Sequence, residues 1–270
     1  VELMRRAERA GVEILTGTEY KPSMSSKIMI NAEGTKGRVA KAIGMELPRS
    51  IPAAQVDVEV KNLEEDVVEI YTGGWAPGFF VWTVPRKDHL RVGLATTEGL
   101  PRELLKRFME KNKNFAGKSV TKILRELYGK VVIGGPLRNV VKDNIVSVGD
   151  AGGFAKPTTG GGIILGCLTA RMAGRAAASA IRGGSLSEFE REWKVQYQGE
   201  FEKMRVAARV FRNMREEELE RIMVEAHKYG LLEELVGYDM DLQGRLIDRV
   251  ARSRLLRHAL IPFLRSLLEK

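Results

Sequence analysis

The sequence contains a single cysteine, Cys167, and three histidines, His89, His227 and His258. One thiol excludes an internal disulfide and any zinc site built on cysteines. The histidines stand far apart, without metal-ligand spacing. No recognisable Ser/His/Asp motif or phosphate-binding P-loop is present, and no Gly-x-Gly-x-x-Gly opens a βαβ unit. A long uninterrupted apolar run is also missing. The longest candidate, Ile163–Ile181, carries Arg171 and Arg175 among many small residues, which makes it a poor membrane span and a good buried helix. Internal repeats and low-complexity segments are lacking. Asn and Gln are sparse beside Arg, Glu and Lys, a balance that leans toward a thermophile.

What is there reads as an ordinary globular chain. It has 270 residues, 44% hydrophobic and 29% charged, enough for one large or two small domains. The net charge of +9 favours anionic partners: phospholipid surfaces, phosphorylated substrates or nucleic acid. The basic residues are dispersed along helices without a recognisable nucleic-acid module, so no nucleic-acid partner is expected. The lone thiol and the lack of a signal-peptide pattern lead to an expected cytoplasmic location. Cys167 is expected as a small core residue.

Val1–Ala10 reads as a helix already in progress, stopped by Gly11, with Val12–Leu15 as a strand after it. Thr35–Gly44 reads as a turn and helix. From Ile51 to Ala95, apolar and polar residues alternate, as in Val56/Val58/Val60 and Phe80/Trp82/Val84. That period marks an antiparallel sheet with one buried face. Pro101–Asn112 and Val120–Tyr128 show helical spacing, the latter through Ile123, Leu124 and Leu127. Ser187 with Glu190 fits a capping box. It opens a helix whose stripe is Phe189, Trp193, Tyr197, Phe201, Met204, Ala208 and Phe211, suited to pack on the protein's own core or to border a lipid pocket. Glu216–Tyr229 is a further helix. The region from Asp241 is rich in Leu, Ile and Arg, and such a basic amphipathic segment suits either a docked helix or an anionic bilayer.

The most informative stretch is Val146-Ser-Val-Gly-Asp150 followed by Pro157-Thr-Thr-Gly-Gly-Gly162. It reads as a short buried strand, a glycine turn and the start of a long helix. Glycines let a backbone approach a ligand closely, and the first N–H groups of a helix favour negative charge. Asp150, at the strand end, is placed to accept hydrogen bonds from ligand hydroxyls.

This stretch resembles the second FAD-contacting motif of the geranylgeranyl reductase family, flavoproteins related to p-hydroxybenzoate hydroxylase. The resemblance covers most of Val1–Trp193. It implies that Gly149 and Asp150 bind the ribityl part of FAD, while Pro157, Gly160, Gly161 and Gly162 line the isoalloxazine and pyrophosphate. Ala76–Pro85 is similar to the family's aromatic-x-Trp-x-Phe-Pro strand, with Val84 in place of Phe. This implies an isoprenoid pocket formed by Phe80, Trp82 and Pro85. By pattern alone, Phe80 and Trp82 read first as plain core; beside the Gly-Asp motif, the pocket is the favoured reading. Asn31-Ala-Glu-Gly34 resembles the family's Ala-Asp-Gly turn, with Glu33 for Asp. Val131–Pro136 resembles the run just upstream of Gly-Asp.

The fold expected is α/β (α+β). Residues 1–49 and 143–185 form a remnant FAD-binding three-layer domain, 50–142 an inserted antiparallel-sheet substrate domain, and 186–270 a C-terminal helical region. Relatives carry a dinucleotide-binding module before such a start, so the expectation is a chain lacking that module. The implied activity is FAD-dependent reduction of geranylgeranyl double bonds, in archaea on the chains of a membrane glycerophospholipid, elsewhere on geranylgeranyl diphosphate or a chlorophyll precursor. The reductant would be NADPH, NADH or ferredoxin. Peripheral contact with the inner face of the cell membrane would run through the C-terminal helices. Two alternatives stay open: a hydroxylase of the same superfamily, and a non-catalytic isoprenoid-lipid-binding protein. A quinone reductase of the electron-transfer-flavoprotein type would need a cysteine cluster that the sequence lacks.

Overall fold

The computed structural model describes residues 2–253 except 22, 62–65, 113, 116–117, 231–232 and 234–236, together with 262 and 264. The Arg- and Leu-rich stretch 254–261 and the final residues 265–270 thus fall outside it, and with them most of the basic segment expected to reach a bilayer. Among the described residues, no helix is long and apolar enough to cross a membrane.

Two sheets organise the chain. The smaller has the order β1 (Met29–Asn31), β9 (Ile145–Ser147), β8 (Val141–Lys142). Its first two strands run parallel, with Met29 opposite Ile145. The last two form a hairpin whose turn holds Asp143 at φ 53°, a left-handed conformation that Asp tolerates better than most residues. The larger sheet is antiparallel, with the order β3 (Glu69–Tyr71), β4 (Val81–Pro85), β5 (Leu90–Ala95), β2 (Ser50–Val60), β7 (Lys118–Val132), β6 (Asn114–Phe115).

Alternation gives this large sheet two distinct faces. Ala54, Val56, Val58, Val81, Leu90, Val92 and Leu94 face helix α3 (Pro101–Lys111) and bury its Leu105 and Phe108. Proline at the first helical position and the apolar 105/108 pair explain why α3 starts and packs as it does. Ala53, Gln55, Trp82, Gly93 and Ala95 belong to the opposite face.

Strand β7 corrects the expected helix at Val120–Tyr128. The segment pairs along almost all of β2, with register shifts between Asp57/Val58 and Glu59/Val60. Each shift leaves one β7 residue, Leu124 and then Thr121, without an opposite number. The apolar residues that suggest a helix have three different placements: Ile123 opposes Val58 on the α3 face, Leu124 is a bulge residue, and Leu127 opposes Gln55 on the other face, so their helical spacing does not mark one buried stripe. Val12–Leu15 is likewise not a strand. Val12 and Leu15 are exposed, and among the described residues no neighbouring strand offers them a ladder.

The second core lies between the small sheet and two long helices, α5 (Ile163–Ile181) and α6 (Ser187–Arg212). The aromatic stripe of α6 packs inward: Phe189, Trp193, Phe201, Met204 and Ala208 are buried. The rings of Phe189, Trp193 and Phe201 surround Phe154, with centroids 5.9, 5.3 and 6.2 Å away. The capping box at Ser187 and Glu190 does not form. Ser185 Oγ accepts the Ser187 N–H, and Glu190 accepts the N–H of Val140, a buried residue whose amide needs a partner. Helix α5 buries Leu165, Thr169, Met172, Ala173, Ala176 and Ala177 and leaves its other side open. Cys167 is therefore exposed rather than core: it stands two positions past Leu165, about 200° around the helix.

Before these elements come α1 (Glu2–Arg9), a 3-10 turn at Gly34–Lys36 and α2 (Arg38–Ala42); after them come α7 (Glu216–Lys228) and α8 (Gly244–Ala251).

Candidate functional site

Strand β9 ends at Ser147, and the chain turns at Gly149, φ 54°, into a single helical turn, α4 (Gly149–Gly152). Asp150 therefore projects from the end of a strand. Its side chain makes no hydrogen bond or ion pair among the described residues. Burial, with no compensating donor, pushes its carboxyl above the ordinary aspartate range. A Cβ at Gly162 would lie 2.9 Å from Asp150 Oδ1, so glycine at the start of α5 is what lets the carboxylate sit beside that helix end. Asp150 also borders a cavity of about 30 Å³ shared with Glu33, Ser50 and Lys130, room for roughly one water. The free space lies over Gly149, where a Cβ would meet nothing within 4 Å.

The loop from Gly153 to Gly162 folds on itself through Lys156 N–H to Gly161 O and Gly160 N–H to Lys156 O, at 2.9 and 2.8 Å. At its tip, Gly160 has φ 71°, and a Cβ there would stand 2.1 Å from Val131 Cγ1 and 3.7 Å from the Phe79 ring. The glycine loop is thus pressed against the large sheet at its aromatic end. From that contact the rings continue outward. Phe79 stacks on Phe80 with centroids 4.2 Å apart, and Phe80 meets Trp82 edge-on at 6.1 Å. Trp82 lies across Gly93, where a Cβ would come within 2.5 Å of the indole. The third residue expected in this wall, Pro85, is three positions further along β4 and alternates onto the α3 face with Val81 and Thr83. The structure thus brings together Gly149, Asp150, Gly160, Gly161 and Gly162, and joins them to Phe80 and Trp82 through Phe79. It separates Pro85 from them. Pro157 is buried in the loop behind the tip.

The residues that hold the loop were not legible as site residues. Arg212 donates to Pro157 O at 2.5 Å. Arg205, seven positions earlier on α6, donates to Gly134 O at 2.8 Å and Pro136 O at 2.7 Å. Burial, and then nearby Arg49, bring the Arg212 guanidinium down to about 10. Lys156 Nζ donates to Met240 O and Asp241 Oδ1, each at 2.8 Å, and Thr158 Oγ1 donates to Gln243 Oε1 at 2.6 Å. The only hint in the sequence is the spacing of Arg205 and Arg212, which puts both on one side of a helix.

Glu33 serves as a helix cap. Its carboxylate accepts the N–H groups of Arg38, Val39 and Ala40 at 2.6, 3.0 and 3.1 Å. Burial acts to raise its carboxyl, but the bonds from Val39, Ala40, Arg38 and Asn31 win and hold it below the ordinary value.

An antiparallel aromatic sheet set against a strand–glycine turn–helix unit is an α/β arrangement of the FAD-binding superfamily type. The model of the family described as lycopene cyclase protein matches residues 90–254, more than half of the chain, and the chain belongs to that family. Among its relatives, digeranylgeranylglycerophospholipid reductase 2 of Methanococcoides burtonii is 31% identical over 77% of this chain and 54% of its own length. The digeranylgeranylglycerophospholipid reductase of Methanococcus vannielii is 29% identical over 67% and 49%. The chain spans about half the length of the curated relatives it matches. In fold, it resembles a geranylgeranyl bacteriochlorophyll reductase-like protein of Thermoplasma acidophilum, with TM-score 0.61 and 19% identity over 91% of this chain and 59% of that one. It also resembles the flavin-dependent brominase Bmp2, with TM-score 0.55 and 15% identity over 90% and 63%. The resemblance to the geranylgeranyl reductase family and the mixed α/β fold read from the sequence both stand.

Proposed function

We propose that this chain belongs to an FAD-dependent reductase that saturates the double bonds of geranylgeranyl chains on an archaeal-type glycerophospholipid. The observation that carries this reading is the contact of Gly160 with Val131 and Phe79, which sets a glycine loop suited to a cofactor against an aromatic wall suited to an alkene. The names of the relatives support the substrate class.

The residues present fit a flavin. Asp150 is a half-buried carboxylate lacking a donor, ready to accept from ribityl hydroxyls. Gly161 and Gly162 open α5 without side chains, exposing N–H groups at the positive end of a 19-residue helix. When bound, reduced flavin would supply the electrons for alkene reduction. The protein's own part is to orient and to keep water out. Half-buried Phe80 and Trp82, backed by buried Phe79, offer an alkene mainly apolar ring surface, so chain position is set by packing. The reductant would be NADPH, NADH or ferredoxin, and the basic C-terminal region would meet the membrane surface that presents the lipid.

The test is the visible absorption spectrum of the chain before and after FAD is added, followed by anaerobic reduction of a digeranylgeranyl phospholipid. A perturbed flavin spectrum that Asp150→Asn weakens, with double-bond loss in the absence of oxygen, is the expected result. Oxygen consumption coupled to a hydroxylated product would instead select the hydroxylase. A second reading, a non-catalytic lipid binder, is favoured by one feature: the aromatic wall is built wholly from this chain. Lipid binding without any flavin spectrum would select it.

A further inference from the structure

The proposed reaction uses only one face of the large sheet. On the other face, α3 covers β2 and β5 through Leu105 and Phe108 but leaves a groove between itself and β7. The groove measures about 880 Å³, within the range of about 300–1,000 Å³ that ligand pockets span. Its floor is Ala54 and Val56; Leu105 and Met109 form one wall, Val120 and Ile123 the other. Ile123 and Tyr128 are 51% and 59% exposed, large apolar surfaces left facing an open channel. The cations Arg102 and Lys106 stand on the α3 rim. Its two acids are engaged: Glu110 lies 3.9 Å from Lys106, and Glu126 accepts the Tyr128 hydroxyl.

We propose that this groove holds the second chain of a two-chain, phosphate-bearing isoprenoid lipid while the first chain lies on the Trp82 face. This rests on the function proposed above. Strand β7 is the last long strand of its sheet, and β6 pairs only with Lys118 and Ser119. From Val120 onward its outer edge is open among the described residues. A glycerol carrying two chains can straddle such an edge and send one chain over each face. Successive β7 side chains serve the two sides in turn, with Leu127 toward the Trp82 face and Glu126 and Tyr128 toward the groove. Exposed Lys122 and Arg125 flank this edge on the Trp82 face and exposed Lys130 on the groove face, so cations stand on both sides of it, which suits the phosphate that must sit where the two chains meet.

The experiment compares a glycerophosphate bearing two geranylgeranyl ether chains with its one-chain counterpart, each presented in the same detergent micelles. Binding is measured for the unaltered chain, for Ile123→Glu, for Met109→Trp and for Trp82→Ala. The two-chain probe is expected to bind the unaltered chain at least about tenfold more tightly, from the added apolar burial. Ile123→Glu and Met109→Trp should each remove that advantage and leave one-chain binding unchanged. Trp82→Ala should weaken both probes. A second measurement uses the two-chain probe with a photoreactive diazirine at each chain end, which should label one peptide containing Trp82 and one containing Ile123 or Met109. If Ile123→Glu leaves the two-chain advantage intact and the groove peptide is unlabelled, the groove assignment is overturned and the reductase reading stands. If Trp82→Ala alters neither probe while Ile123→Glu weakens both, the lipid lies only in the groove, and both readings fall.

Discussion

The glycine loop and strand β7 touch at Gly160 and Val131 and are otherwise built in opposite ways. The loop is held from behind at three consecutive residues. Lys156 is tied to Asp241, Pro157 to Arg212 and Thr158 to Gln243. Its tip has a left-handed φ and no room for a Cβ. From Val120 onward the strand is paired along one side only among the described residues. It absorbs two extra residues as bulges, keeps Ile123, Leu124 and Tyr128 exposed, and has open space at Gly129. A cofactor loop gains from being over-determined, because its N–H groups must already point at the ligand. A surface over which a flexible chain slides needs shape but little rigidity. Substitutions should therefore be costly in the loop and mild along the strand.

The largest expected effect is at the contact itself. Gly160→Val puts side-chain atoms where Val131 already stands and forces a β-branched residue to φ 71°. The expected loss is roughly 2–4 kcal/mol of stability, with flavin binding abolished. Gly129→Ala, on the strand side, has open space and no positive φ, and its expected change is within about 0.5 kcal/mol. Urea denaturation of the two variants measures the contrast; equal losses would show that the strand is as constrained as the loop. Next comes Arg212→Met, which keeps the aliphatic stem but leaves the carbonyl of buried Pro157 without its donor. About 1–3 kcal/mol should be lost, and the flavin spectrum should broaden as the loop loosens.

These differences explain which parts of the molecule were legible in the sequence. Where structure is local, reading succeeded. The helix at Ile163–Ile181 and the alternating strands carry their periods within a few positions. The strand–Gly-Asp–loop–helix order was legible for the same reason. Reading failed where a distant partner decides. Ile123, Leu124 and Leu127 have helical spacing, but pairing with β2 puts Ile123 and Leu127 on opposite faces and Leu124 at a bulge. Ser187 and Glu190 had the spacing of a capping box, but Glu190 serves a donor 50 positions away. Lys156, Arg205 and Arg212 have no mark of their roles, because nothing near them in sequence indicates the carbonyls they meet. Pro85 matched a motif by type, while its position in a pleated strand sends it to the other face.

Asp150 and Glu33 sharpen the comparison at smaller scale, since one carboxylate awaits a partner and the other has several. Burial raises the Asp150 carboxyl above the ordinary value of 3.8, so its charged form is disfavoured in the folded chain. Asp150→Asn should make the flavin-free chain more stable at neutral pH, and this advantage should begin to shrink as pH falls past the raised value and be gone below about the ordinary 3.8. The same variant should weaken FAD by about tenfold or more, through the loss of a charged acceptor. Thermal melts across pH, with and without FAD, read both effects. A variant less stable than the unaltered chain at neutral pH would show that Asp150 is already satisfied.

Glu33 should behave in the opposite way. Its folded value lies below the ordinary 4.5, so the stability it contributes is fully present above about pH 4.5 and is lost as pH falls through the lowered value. Glu33→Gln keeps one acceptor oxygen for the Arg38, Val39 and Ala40 amides but removes the charge at the start of α2. The expected cost is about 0.5–1.5 kcal/mol at pH 7, shrinking toward zero in acid. Plotted together, the differences between each variant and the unaltered chain should have opposite signs at pH 7 and converge as the solution is acidified. If the two curves shared a sign, the distinction between a carboxylate built to cap a helix and one kept free for a ligand would fail.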